Sequence, residues 1–144
     1  MIEKFTKLMN NFNTEPSQVE WRKFEERLPK LSVLRGCTIY RQKKSKTTQR
    51  RPDVYAIDNN NSKRRIIVEG KYTIQARKDH LKQVNKYNYP FFPTEKYIVY
   101  PRNTEISESF KNEARGKGIE IILLRVEKLK KRRFIIFGKK EYLR

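Results

Sequence analysis

The segment that most constrains this chain runs from Arg51 to Lys71 and reads RPDVYAIDNNNSKRRIIVEGK. Val54-Tyr55-Ala56-Ile57 is rich in β-formers. Asp58 to Ser62 is a turn cluster, because Asp, Asn and Ser side chains bond nearby backbone groups and Asn tolerates a left-handed φ. Arg65-Ile66-Ile67-Val68 returns as a second strand. A hairpin brings its two outer ends together. Asp53, at the start of the first strand, therefore lands beside Glu69 and Lys71 at the end of the second. Positions two apart share a strand face, so Glu69 and Lys71 point the same way with Gly70 between them. Two carboxylates and an ammonium converge on one point. Two hard oxygen donors held together are costly without a cation, and Mg²⁺ is the usual one. A lysine beside it can orient or deprotonate a water, or neutralise charge developing on a phosphate.

The composition indicates what such a point would act on. The 144 residues suffice for one domain with one core. The net charge of +19 marks a polyanion binder, with nucleic acid the leading partner. A membrane-surface role needs a basic amphipathic helix or a lipidation site, and neither is present. The chain shows no signal peptide and no apolar run of membrane-spanning length, so an intracellular location is expected, in the cytoplasm or nucleoid or in a host cell for a viral or plasmid protein. Cys37 is the single cysteine, which excludes an internal disulfide and most cysteine metal sites. Its place in a strand predicts a buried, inert thiol.

The flanking pattern alternates helices and strands. Residues 2–12 have helical spacing, and Asn13 to Pro16 break it. Ser17 with Glu20 three residues on is a capping box opening a helix whose stripe is Trp21, Phe24, Leu28 and Leu31. Pro29 ends or kinks that helix near Leu28. Cys37 to Arg41 reads as a strand. Arg41 to Arg51 then holds six basic residues and no acid, a loop suited to contacting phosphates. Thr73 to Asn88 reads as a helix with Ile74, Leu81 and Val84 on its apolar face and Tyr87 as a further candidate for it. Gln83 and Tyr87 stack on one face at i, i+4. His80, the lone histidine, is expected at the surface. Tyr97 to Tyr100 is a buried strand, Thr104 to Arg115 a helix, and Ile119 to Leu124 a further buried strand. Residues 125–144 form a basic extension, with Phe134 to Phe137 as an edge strand.

Pro52-Asp53, followed after the turn by Glu69-Gly70-Lys71, resembles the signature of the PD-(D/E)xK nuclease superfamily, which includes restriction endonucleases, Holliday-junction resolvases, RecB-like exonucleases and TnsA-like transposase subunits. The resemblance covers about residues 17–124. It implies an α/β fold with a restriction-endonuclease-like core, a central mixed β-sheet flanked by helices, in a single nuclease domain over 1–144. Gln83 and Tyr87 are similar to the Q-x-x-x-Y pair of RecB-like nucleases, in which the Gln faces the scissile region and the Tyr the DNA. Gln75 is a second residue that could face the site. The family's first helix usually supplies one more carboxylate. Ser17-x-x-Glu20 is similar to TnsA-like domains, and Phe24-Glu25 before Gly36 to the resolvases. Glu20 is taken first, with Glu25 as the alternative.

The implied activity is that of a metal-dependent deoxyribonuclease, endonuclease ahead of exonuclease, using Mg²⁺ or Mn²⁺ and no small-molecule cofactor. Asp53, Glu69, the Gly70 carbonyl and Glu20 would hold metal, Lys71 would orient water, and Gln83 and Tyr87 would complete the catalytic set. Lys43, Lys44, Lys46, Arg50, Arg51 and Tyr87 would contact DNA. Many relatives that cut both strands work as dimers, so a homodimer is consistent with the resemblance. The alternative function is a non-catalytic DNA- or RNA-binding protein that keeps the fold.

Overall fold

A computed structural model describes residues 18–41 and 50–125. The elements in chain order are α1 (Gln18–Arg27), 3-10 turns at Leu28–Lys30 and Ser32–Leu34, β1 (Cys37–Arg41), β2 (Val54–Asp58), β3 (Asn61–Gly70), α2 (Lys78–Asn85), a short α3 (Asn88–Phe91), β4 (Glu95–Pro101), α4 (Glu108–Gly116) and β5 (Ile119–Leu124). The N-terminal segment 2–12, Ser17 of the capping box, Lys43, Lys44 and Lys46 of the basic arm, and the extension beyond Arg125 lie outside the described residues.

The five strands form one mixed sheet in the order β1-β2-β3-β4-β5. The first three pair antiparallel as a meander, and β3-β4 and β4-β5 are parallel. Parallel neighbours need a crossover, and α2 and α4 supply the two crossovers. This is the α/β architecture with a mixed sheet and flanking helices that the signature implies.

The pleat divides the side chains into two cores. Val54, Ala56, Ile66, Val68, Tyr97 and Val99 face α1 and its following turns, packing on Phe24, Leu28 and Leu34. On the other face Ile98 and Tyr100 meet Leu81 and Val84 of α2 and Phe110 and Ala114 of α4. Tyr55 and Ile67, also on this second face, pack on Tyr87 and Phe91. Arg64 fastens the hairpin to β4, its guanidinium donating to Glu95 at 2.6 and 3.0 Å and to Asp58 at 3.1 Å.

Several expected boundaries shift, each for a local reason. The hairpin turn is tighter than the Asp58–Ser62 cluster suggests, because Asp58 accepts the Asn60 N–H at 2.8 Å and β3 already begins at Asn61. The helix expected from Thr73 starts only at Lys78. Residues before it are drawn out, since Ala76 donates to Glu105 at 2.9 Å and Glu105 to Ile74 at 2.7 Å, bridging the segments that precede α2 and α4. Ile74 therefore packs against the first core instead of belonging to the α2 stripe. The helix expected from Thr104 begins at Glu108, where Ser107 accepts the Phe110 N–H at 3.0 Å. Ile119–Leu124 is only half buried, because β5 has a pairing partner on one side alone among the described residues. Trp21, assigned to the α1 stripe, is exposed and donates its indole N–H to Glu25 at 2.9 Å. Cys37 is partly buried, and burial raises its thiol pKa. No helix among the described residues is long and apolar enough to cross a membrane.

Candidate active site

The site forms where β2 begins and β3 ends. Val54 pairs with Val68, so the antiparallel register sets Asp53 opposite Glu69. The Asp53 N–H donates to Glu69 Oε1 at 3.3 Å, and the Gly70 N–H donates to Asp53 Oδ2 at 2.9 Å. Each strand end thus holds the other's carboxylate. The Lys71 N–H turns the opposite way and bonds the Val99 carbonyl at 2.9 Å, so β4 fixes the strand just where the lysine side chain departs.

Glu69 is buried at 4% exposure, and four donors surround it. Its Oε1 accepts from Asp53 and from the Tyr87 hydroxyl at 3.1 Å. Its Oε2 accepts from Gln83 at 3.0 Å and lies 3.5 Å from Lys71 Nζ. Lys71 in turn donates to Gln83 Oε1 at 2.5 Å. Gln83 therefore bridges the ammonium and the carboxylate, using both ends of its amide. Its i, i+4 partner Tyr87 buries its ring against Tyr55, Ile67 and Phe91, and only its hydroxyl reaches the site. That hydroxyl also lies 3.2 Å from the Arg51 carbonyl.

Burial raises the pKa of both carboxylates above the usual carboxylate range. Proximity to Asp53 raises Glu69 further, while Lys71 and the hydrogen bonds oppose the rise. Asp53 is lowered by the Gly70 N–H and raised by the charge of Glu25. Glu25 on α1 is thus among the leading charges acting on Asp53. Arg41, at the end of β1, also acts on Asp53 and donates to the Glu25 carbonyl at 3.3 Å. Among the described residues no three of His, Cys, Asp and Glu stand close enough to hold a metal by themselves.

Gly70 explains how α1 comes this near. Its missing side chain would point at the first core, and a Cβ there would lie 2.8 Å from Leu28 Cδ1 and 3.0 Å from Phe24 Cε2. Only glycine lets the helix close onto the end of β3 at this separation.

Other candidate residues fall elsewhere. Gln75 lies with Ala76, Glu105, Ile106 and Ser107 in a separate cleft and not in the Lys71 cluster. His80, expected at the surface, is buried at 5% exposure. Its Nδ1 lies 2.7 Å from the Tyr100 hydroxyl and accepts the Arg77 N–H at 3.3 Å, so the ring tethers the start of α2 to β4. Arg50 directs its guanidinium to the carbonyls of Lys86 and Tyr89, both at 2.8 Å. Lys82 and Lys86 were not singled out from the sequence, yet with Arg50 and Arg51 they line a groove of about 540 Å³ whose wall includes Gln83 and Tyr87. The available signal was their own i, i+4 spacing, one residue ahead of Gln83 and Tyr87.

No protein-family profile and no curated protein matches the chain. Solved structures do. A repair endonuclease from Pyrococcus abyssi superposes with a TM-score of 0.50 at 18% identity, over 77% of this chain and 48% of its own. EndoMS in its apo form gives a TM-score of 0.50 at 17% identity, over 77% of this chain and 47% of its own. The chain spans about half the length of these endonucleases and shares their fold.

Proposed function

We propose that this protein is a metal-dependent deoxyribonuclease. The observation that carries the reading is the convergence of Asp53, Glu69 and Lys71 at the mouth of one hairpin, with Gln83 joining the last two. A protein that only bound nucleic acid would gain nothing from burying two carboxylates against each other inside a basic chain. The fold shared with two endonucleases supports the same reading.

The donors suit Mg²⁺ or Mn²⁺. They are hard oxygens, and burial presses both carboxylates toward protonation, with the charge of Asp53 adding to the pressure on Glu69, a pressure that a dication would remove. Asp53 and Glu69 would hold the ion. In an extended strand the N–H and C=O of one residue face the same neighbour, so the Gly70 carbonyl is directed to the Asp53 side and joins them. The third carboxylate comes from α1, and the charge acting on Asp53 favours Glu25 over Glu20. When bound, the metal supplies Lewis-acid stabilisation of the phosphate and a more acidic water.

The chain's own residues do the positioning. Lys71, held by Gln83, orients the attacking water and offsets charge on the scissile phosphate. Tyr87 and the Asp53 N–H keep Glu69 in one orientation. The water oxygen bonds to phosphorus in line with the departing 3′-oxygen, which takes up a proton, and a 5′-phosphate remains. The basic arm around Lys43, Lys44 and Lys46 and the groove lysines contact DNA phosphates.

The test is cleavage by purified protein with Mg²⁺ or Mn²⁺ on linear, circular, single-stranded and four-way-junction DNA. Asp53→Ala and Lys71→Ala are expected to lose at least about 10²-fold in rate while DNA binding persists. Wild-type rates in either variant would sink the assignment.

A further inference from the structure

Beside the basic groove stands a pair of aromatic rings that the core does not use. Tyr89 and Phe92 are 54% and 58% exposed, the most exposed large apolar residues among those described. Their rings meet edge to face with centroids 5.7 Å apart, so each holds the other's orientation at the surface. Their neighbour Phe91 turns inward, packing on Tyr55 at 5.0 Å and on Tyr87 at 6.3 Å.

Phe92 also carries a backbone cost. It caps α3 in the left-handed region, at φ 48° and ψ 56°, with its N–H on the Asn88 carbonyl at 3.0 Å. Glycine takes this capping position without penalty, whereas a bulky residue there is an outlier. A phenylalanine that stays more than half exposed in a conformation suited to glycine points to a role for its ring at the surface.

The pair is tied to the candidate active site. Arg50 bonds the Tyr89 carbonyl and the Lys86 carbonyl and leads through Arg51 toward Asp53. The groove lined by the cations Arg50, Arg51, Lys82 and Lys86 against the one carboxylate of Asp79 adjoins Gln83 and Tyr87, and both of these bond Glu69. Cations track a phosphate backbone, and exposed ring faces accept base faces. Paired bases keep their faces inside the duplex stack and show only edges. The occupant that fits rings and cations together is an unpaired nucleotide.

We propose that Tyr89 and Phe92 form a stacking platform for an unpaired base, and that the groove beside them carries that strand's phosphates toward Glu69. This deepens the nuclease reading and rests on it for the direction of the strand. The substrate class is then DNA with a single-stranded segment at the cut, in place of an unbroken duplex.

The experiment measures metal-free binding, in EDTA, of a single-stranded oligonucleotide carrying a fluorescent adenine analogue and of a blunt duplex. Wild type should change the analogue's emission. Tyr89→Ala and Phe92→Gly should each weaken single-strand affinity by roughly 5- to 150-fold and leave duplex affinity nearly unchanged. Phe92→Gly should also keep or raise the thermal midpoint, because it relieves the left-handed strain, so lost binding cannot be blamed on misfolding. Equal losses on both ligands, or none on either, would overturn the platform. So would a change in sedimentation behaviour with unchanged affinity, which would seat a second copy of the chain there. If the platform variants behave as stated while Asp53→Ala still cuts, the platform stands and the nuclease reading fails. If Asp53→Ala is inactive while the platform variants bind single strands normally, the platform alone fails.

Discussion

Replacing Gly70 with alanine tests the link between core packing and the candidate site. The added methyl would sit 2.8 Å from Leu28 Cδ1, 3.0 Å from Phe24 Cε2 and 3.2 Å from Leu28 Cδ2. To reach ordinary contact at 3.4 Å, the nearest atom must withdraw by about 0.6 Å. Leu28 and Phe24 are each 1% exposed, so neither has open space to move into. Overpacking a filled core costs about 1–3 kcal/mol, and the absence of room places Gly70→Ala in the upper half of that range. The relief must come from α1 moving off the sheet, and α1 carries Glu25. A displacement approaching 1 Å at a reacting group costs on the order of 10²-fold in rate, so cleavage should fall more than stability alone explains. Leu28→Ala by itself costs about 2–5 kcal/mol through its cavity. In the double variant the new methyl enters that cavity, and the combined cost should fall below the sum by about 1–2 kcal/mol. Urea unfolding of the four proteins measures this. Additivity within about 0.5 kcal/mol, or a Gly70→Ala protein as stable and active as wild type, would refute the packing argument.

Three further outcomes are expected. Glu25→Gln should reduce cleavage strongly and Glu20→Gln mildly if the carboxylate whose charge reaches Asp53 completes the site; the reverse order in a rate comparison would restore Glu20. Burial lowers the His80 pKa from 6.5 to about 4, so the unfolded chain binds the extra proton between these values. The neutral ring's contribution is therefore complete above pH 6.5 and is lost as pH falls toward 4, by at most about 3 kcal/mol; His80→Gln should flatten the pH dependence of urea midpoints across that window, and an unchanged slope would contradict the assignment. Lys43→Ala, Lys44→Ala and Lys46→Ala together should reduce the slope of log affinity against log salt by about 2–3 for duplex DNA, alike for all sequences; an unaltered slope in a salt titration would move the phosphate track to the groove or the basic extension.

The hairpin was legible because its information is local. Strand formers, an Asp-Asn turn and the two-residue alternation are enough to bring Asp53, Glu69 and Lys71 to one end, and the pairing of Val54 with Val68 realises that geometry. The element order was legible for the same reason, as was the end of α1 near Leu28 ahead of Pro29, where the helix gives way to a 3-10 turn. Gln83 and Tyr87 were singled out through their resemblance to the Q-x-x-x-Y pair, and both reach Glu69 although α2 starts later than its pattern suggests and ends at Asn85.

What the tertiary structure decided involves partners distant in sequence. How α1 lies over the sheet determines which of its side chains come near Asp53, and the charge of Glu25 acts on that carboxylate. Phe24 and Leu28 set that placement by closing on Gly70, a contact that no local pattern contains. His80 has no apolar signature, yet Tyr100 across the α2–β4 contact supplies a hydrogen bond that makes its burial tolerable. Nothing local in the sequence separates Phe91 from Tyr89 and Phe92; packing turns Phe91 inward and leaves the other two in solvent. Periodicity reports which face of an element is apolar; which neighbour covers that face, and what is left uncovered, is settled only when the elements pack.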